Sequence, residues 1–273
     1  MKALLIVVSI LISFSQGVLY NFISSPQIKS ITEKEYEVVY TANNSLDAKS
    51  SSRGLIIKKV FSELGTIDHL DKYDVNGNLY ERIDYHYCDT GQLTETLNYN
   101  SKGKLMYKTI CELNEDGNVE KRSCYDDLGD MAWIEVSKYN EDGNQTSIET
   151  ATVFSQGHFK STYLYDEKGR MTNIKKFNHN NRLISESNYN YTETITRIEE
   201  ILTNSKNPTS SVVITYDSDD RLLSKISKDK QGQTLSSKNY VYSYDKHGNW
   251  NTKREYTNKK LTYTWERAIE YFN

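Results

Sequence analysis

A seven-residue pattern recurs along most of this 273-residue chain: an aromatic residue, Asp or Asn, two variable residues, Gly, one variable residue and an aliphatic residue. It is read in Tyr73-Asp-Val-Asn-Gly-Asn-Leu79, Tyr87-Cys-Asp-Thr-Gly-Gln-Leu93, Tyr99-Asn-Ser-Lys-Gly-Lys-Leu105, Leu113 to Val119, Tyr125 to Met131, Tyr139 to Gln145, Tyr165-Asp-Glu-Lys-Gly-Arg-Met171 and Tyr244-Asp-Lys-His-Gly-Asn-Trp250. A looser copy starts at Phe61, and Asn181 and Asp220 replace the Gly in copies starting at Phe177 and Tyr216. From Phe61 to Tyr139 the first positions are spaced 12, 14, 12, 14, 12 and 14 residues apart, so alternate copies recur every 26. Asp or Asn opens a type I turn, and a Gly three residues later supplies the left-handed position of a bulged hairpin loop. Each copy therefore predicts a hairpin turn, with positive φ at Gly77, Gly91, Gly103, Gly117, Gly129, Gly143, Gly169 and Gly248.

Turns this frequent leave no room for helices. The chain is expected to be all-β: an elongated, twisted antiparallel meander of repeated hairpins, with turns on two opposite edges and scope to curl into a partial spiral or barrel-like shell. Strands of roughly seven to ten residues, about 24 to 34 Å long, follow. The leading aromatic should oppose the trailing aliphatic, as Tyr73 and Leu79, Tyr99 and Leu105, Tyr125 and Met131, or Tyr165 and Met171. Because both intervals are even, side-chain alternation predicts that every copy keeps these two positions on one face. By the same counting, Cys111 lies opposite Lys121 and Cys124 opposite Lys108, on different faces. Cys88 lies two strands from the Cys111 region, so three free thiols are expected.

The N-terminus reads differently. Lys2, an apolar run from Leu4 to Phe14, and the small residues Ser15 and Gly17 match a secretory signal peptide over 1–17, too short to span a bilayer. Export to a periplasm or the cell exterior follows. Residues 18–60 carry no repeat and are read as N-terminal strands, near 31–40 and 54–61, with an exposed loop at 43–53, continuous with one repeat domain over 61–273. Further strands are expected near 193–202 and 210–216. A net charge of -3 excludes a phosphate-neutralising basic surface, so nucleic acid is not an expected partner.

These motifs resemble the Tyr-Asp repeats of the RHS/YD-repeat family of bacterial exported proteins, over about residues 61–256. The resemblance implies an extended, spiralling β-sheet, which in large relatives forms shells around secreted toxins, and repeats often described as carbohydrate-binding. This chain is too short to enclose a cargo and is expected to be a small exported member without a toxin domain.

No residue pattern points to a reaction. The sequences Asn114 to Asn118 and Asn140 to Asn144 look like fragments of calcium loops, but turn chemistry explains every residue in them. The five histidines are scattered, and neither a nucleophile elbow nor a phosphate loop is present. No catalytic residue, metal or cofactor is expected. The 22 tyrosines are the residual signal. Leading motif tyrosines are expected to pack on the facing aliphatic, which leaves Tyr80, Tyr163, Tyr240 and Trp265, off the motif register, as candidate ligand contacts. The expected function is a non-enzymatic binding or envelope-associated module for a glycan or other envelope ligand. The alternative is a structural or assembly partner of a secreted or toxin-related system, acting through its sheet face or edge.

Overall fold

A computed structural model describes residues 27–37, 56–153, 157–191, 197–203 and 210–272, with backbone alone for 197–203 and 210–211. The expected leader at 1–17 and the loop at 43–53 lie outside the described residues. The turn at 74–78 shows how each repeat folds. Gly77 N–H donates to Asp74 O at 3.0 Å and Asp74 N–H to Asn78 O at 2.8 Å. The Asp74 carboxylate meanwhile accepts the N–H groups of Asn76 and Asn78 at 2.9 and 2.8 Å. Asn100 and Asn114 do the same work in their turns through Oδ1, which is why Asp and Asn interchange at this position. The eight motif glycines have φ between 71 and 86°, and Asn181 and Asp220 stand in at 55 and 56°.

Between turns run the strands β1 (Ile28–Glu37), β2 (Ile56–Phe61), β3 (Ile67–Tyr73), β4 (Leu79–Tyr87), β5 (Leu93–Asn100), β6 (Leu105–Leu113), β7 (Val119–Asp126), β8 (Met131–Tyr139) and β9 (Gln145–Thr152). They continue as β10 (His158–Tyr165), β11 (Met171–Phe177), β12 (Leu183–Asn190), β13 (Arg197–Thr203), β14 (Ser210–Tyr216), β15 (Leu222–Asp229), β16 (Thr234–Tyr244), β17 (Trp250–Thr257) and β18 (Lys260–Tyr271). All are antiparallel, and each pairs with its neighbours in sequence. In addition β1 pairs with β18 from Ile28↔Tyr271 to Glu37↔Tyr263, as well as with β2. The meander thus returns on itself, and none of the described strands is left with an unpaired long edge.

The leading aromatics do oppose the trailing aliphatics: Tyr73↔Leu79, Tyr99↔Leu105, Tyr125↔Met131 and Tyr165↔Met171. One residue beyond each pair the register slips. Tyr73 faces Leu79 but Lys72 faces Glu81, so Tyr80 is an extra, bulged residue. Thr94, Met106, Glu120, Ala132 and Thr146 occupy the same place in the following hairpins. An extra residue reverses the parity of the rest of the strand. The expectation that all copies share one face is therefore corrected. Tyr73, Tyr99 and Tyr125, with their partners, lie on one face, and Tyr87, Tyr139, Tyr165 and Tyr244 lie on the other. The cysteine register is corrected too. Cys111 faces Arg122 and Cys124 faces Thr109, which puts both thiols on the same face, diagonally placed and unbonded. All three described cysteines are free.

One of the two faces is the inside of the ring. Burial is the leading cause of the upward shift of the Tyr85, Tyr163, Cys111 and Cys124 pKa values and of the downward shift of Lys59, Lys253 and Arg267. The pairing register places all seven on the face that also holds Tyr87, Tyr139 and Trp250. The inside is not an oily core. Among the described residues only Cys111, Val119, Cys124, Ala132, Tyr189 and Ile214 are apolar and buried, so ladder bonds, turns and cross-strand pairs hold the sheet. Ion pairs sit on both faces. Arg122–Glu135 at 2.6 Å and Arg267–Glu33 at 2.7 Å are inside; Lys121–Glu112 at 2.6 Å, Lys160–Glu149 at 2.9 Å and Lys175–Glu186 at 3.6 Å are outside.

Candidate functional site

The aromatic and charged side chains of the inner face are concentrated where β16, β17, β18 and β1 meet. Cross-strand pairing lines them up in rows: Tyr242, Lys253, Trp265 and Glu35 in one, and Tyr240, Glu255 and Tyr263 in the next. Trp250 joins them through the bulge. It faces Tyr244, while Lys253, three residues on, faces Tyr242, so the slip at Asn251 brings an even and an odd position to the same side.

The rings and cations interlock. The Arg267 guanidinium lies 3.4 Å from the centroid of Trp250, and the Lys253 ammonium lies 3.9 Å from that of Trp265. Tyr242 meets Trp250 edge-on at 5.8 Å, and Tyr263 lies 5.9 Å from Trp265. Arg267 Nε donates to Glu33 at 2.7 Å. Glu255, almost fully buried, accepts from Lys238 at 2.8 Å, Tyr240 at 2.9 Å and Thr262 at 3.0 Å. Burial alone would raise the Glu255 carboxyl; those three donors outweigh it and hold it below the usual range. Burial pushes Tyr242 up to about 12, and it pushes Tyr240 up as well, helped by the Glu255 charge. Burial lowers Lys59, Lys253 and Arg267, and the Arg267 charge adds to the depression at both lysines.

Of the four residues singled out from sequence, Tyr240 and Trp265 belong to this cluster. Tyr163 is also on the inner face, opposite Ile174, but it lies on β10 on the far side of the ring, with burial raising it to about 12. Tyr80 is the bulged residue described above, 53% exposed and remote from the others. Sequence reasoning missed Trp250, Tyr242, Lys253, Arg267 and Lys59. Trp250 was hidden as the aliphatic position of a repeat, and plain alternation from Trp250 assigns Lys253 to the opposite face. Among the described residues, no three His, Cys, Asp or Glu side chains are grouped to hold a metal ion.

No protein-family profile and no curated protein matches the chain. Among solved structures it is similar to a porin-like protein from Bacteroides uniformis, at 12% identity and TM-score 0.46, covering 90% of this chain and 98% of that one. A chain of the Photorhabdus luminescens Tc holotoxin pore matches at 11% identity and TM-score 0.25, over 82% of this chain and 15% of that one. A domain described as an outer membrane lipoprotein-sorting protein, from Vibrio parahaemolyticus, matches at 11% identity and TM-score 0.28, over 89% and 84%. All three scores are too low to carry a statement about what this chain does.

Proposed function

We propose that this is an exported YD-repeat protein acting as a non-enzymatic, envelope-associated binding module, and that it takes a glycan or similar ring-bearing ligand on its inner face. The observation behind this reading is the concentration of Trp250, Trp265, Tyr240, Tyr242 and Tyr263 on four adjoining strands of that face. Such amphipathic rings offer contact area at little entropic cost. A binding role suits the cluster better than catalysis, because two of its carboxylates are committed: Glu255 is saturated with donors and Glu33 is paired with Arg267. Glu255, held below the usual carboxyl range, is not poised to move a proton near neutral pH.

A membrane-spanning role is not part of the proposal. No helix among the described residues is long and apolar enough to cross a membrane, which does not bear on strands. For the strands, Glu149 and Lys175 carry ion pairs on the outer face in mid-strand, where a lipid-facing band would be apolar. Strand addition, one route for the alternative assembly role through a sheet face or edge, finds no long open edge among the described strands, since β1 pairs with β18 and, over Ser30–Glu33, with β2.

Calorimetric titration of the mature chain against purified envelope polysaccharides and their oligosaccharides tests the reading. Saturable binding is expected, and Trp265→Ala should weaken it by about 2 kcal/mol while Tyr80→Ala leaves it unchanged. Equal effects of the two substitutions, or no saturable binding to any glycan, would overturn it.

A further inference from the structure

We infer that the ligand of this inner face is acidic: a ring-bearing molecule whose carboxylate is received by Lys59, Lys253 and Arg267. The inference rests on the binding role proposed above and narrows its ligand.

Three features of the cluster point the same way. First, one face of each indole is already covered, that of Trp250 by the Arg267 guanidinium at 3.4 Å and that of Trp265 by the Lys253 ammonium at 3.9 Å. A neutral ring seeking to stack there would have to displace a cation. What the cluster presents instead is a pair of cations held in place by the rings beneath them. Second, these cations have donors to spare. Arg267 gives Nε to Glu33, and the structure shows no partner for its Nη groups among the described residues. Neither Lys59 nor Lys253 forms an ion pair with a described carboxylate, although Glu33, Glu35 and Glu255 lie close enough to pull Lys253 partly back up. Third, the cations disfavour one another: Arg267 depresses both lysines, in addition to the cost of their burial. An anion placed among the three would relieve that repulsion and gain charge-assisted hydrogen bonds in a site already partly stripped of water. The rings would then bound the ligand laterally, through Tyr263 and the edges of the two indoles.

The rest of the protein sharpens the contrast. The chain carries a net charge of -3, so a polyanion has no general reason to adhere to it.

The test compares trigalacturonic acid with its fully methyl-esterified form, two probes with one skeleton and different charge, titrated into the mature chain by calorimetry. The acid is expected to bind at least about tenfold more tightly than the ester, with an affinity that falls as salt rises, and Lys59→Met and Lys253→Met should each erase most of that difference. Lys104→Met, in an outward turn where Lys104 pairs with Asp127, should not. Thermal melts of the variants separate lost binding from lost folding, and Lys59→Met serves as the second variant if Lys253→Met unfolds. Equal binding of acid and ester would overturn the acidic ligand and leave the binding role standing. Acid binding that ignores both lysine substitutions would overturn the assignment to this cluster. If neither probe binds, the acidic-ligand inference fails, and titration with neutral glycans decides the broader reading separately.

Discussion

The two edges of the sheet are built from one repeat and behave differently. On the edge whose motif rings point inward, neighbouring hairpins are fastened to each other. Tyr139, Tyr165 and Tyr191 each donate at 2.7 Å to a backbone carbonyl of the hairpin alongside, on Val119, Gln145 and Met171 respectively. The turns also touch: a Cβ built at Gly117 would lie 3.1 Å from Gln92 Nε2, and one at Gly169 would lie 3.8 Å from Asn144 Nδ2. On the edge whose rings point outward, a Cβ at Gly77, Gly103 or Gly129 would meet nothing within 4 Å, as is also the case at Gly65, Gly91 and Gly248 on the inward edge, and Tyr125 makes no such bond. Turn chemistry is local and therefore the same on both edges. Fastening through the motif tyrosine depends on which side of the sheet the ring occupies, and on the outward edge the turns meet instead through the Lys104–Asp127 ion pair.

The largest expected contrast is between ion pairs on the two faces. Arg122→Met leaves Glu135 buried inside without its partner and should cost about 3 kcal/mol, whereas Lys121→Met outside removes an exposed pair and should cost less than about 1 kcal/mol. Comparable urea midpoints for the two variants would show that the inner face is as wet as the outer. Next come the turns themselves. Gly103→Val and Gly143→Val each force a β-branched residue into the left-handed region and should each cost about 1 to 2 kcal/mol. Near-equal losses are the expected result, since a Cβ at Gly143 reaches Asn118 only at an ordinary 4.0 Å.

Smaller still is the fastening. Tyr139→Phe removes one hydrogen bond and should cost about 1 kcal/mol, while Tyr125→Phe on the other edge should be close to neutral. If the two cost the same, the inward edge is not stapled as described. The smallest effect concerns pH. The Asp74 carboxyl is held below the ordinary Asp range by hydrogen bonds from the Asn78 side chain and backbone and from Asn76. A carboxyl lowered on folding stabilises the native state above its unfolded value and loses that contribution as pH falls through the folded one. Stability measured by urea unfolding should therefore decline below about pH 4. Asp74→Asn keeps the Oδ1 acceptor, as Asn100 does, but gives up the Oδ2 acceptor of the Asn78 side chain, so it should flatten part of that decline by slightly lowering stability at pH 7. Asp166, lowered chiefly by its bond from Arg170, is the matching position on the inward edge, where the same substitution also gives up that ion pair.

Tyr240 and Trp265 could be picked out from sequence because they fall off the motif register, and the cluster around them could not. Trp250 and Lys253 share a side only because Asn251 is bulged, and Lys59 and Arg267 come together only because β1 joins β2 to β18. Neither event leaves a signal in a single repeat.

The sequence by itself determined the turns, their positive-φ residues, the antiparallel strands and the opposed Tyr73/Leu79 type of pair, because each of these depends on residues within about seven positions of one another. The tertiary structure alone decided the facing of each series, the closure of β1 on β18 and the gathering of cations over the indoles. The physical reason is that one bulged residue per hairpin reverses side-chain parity, and a reversal counted through alternating strands is set by backbone pairing rather than by residue type.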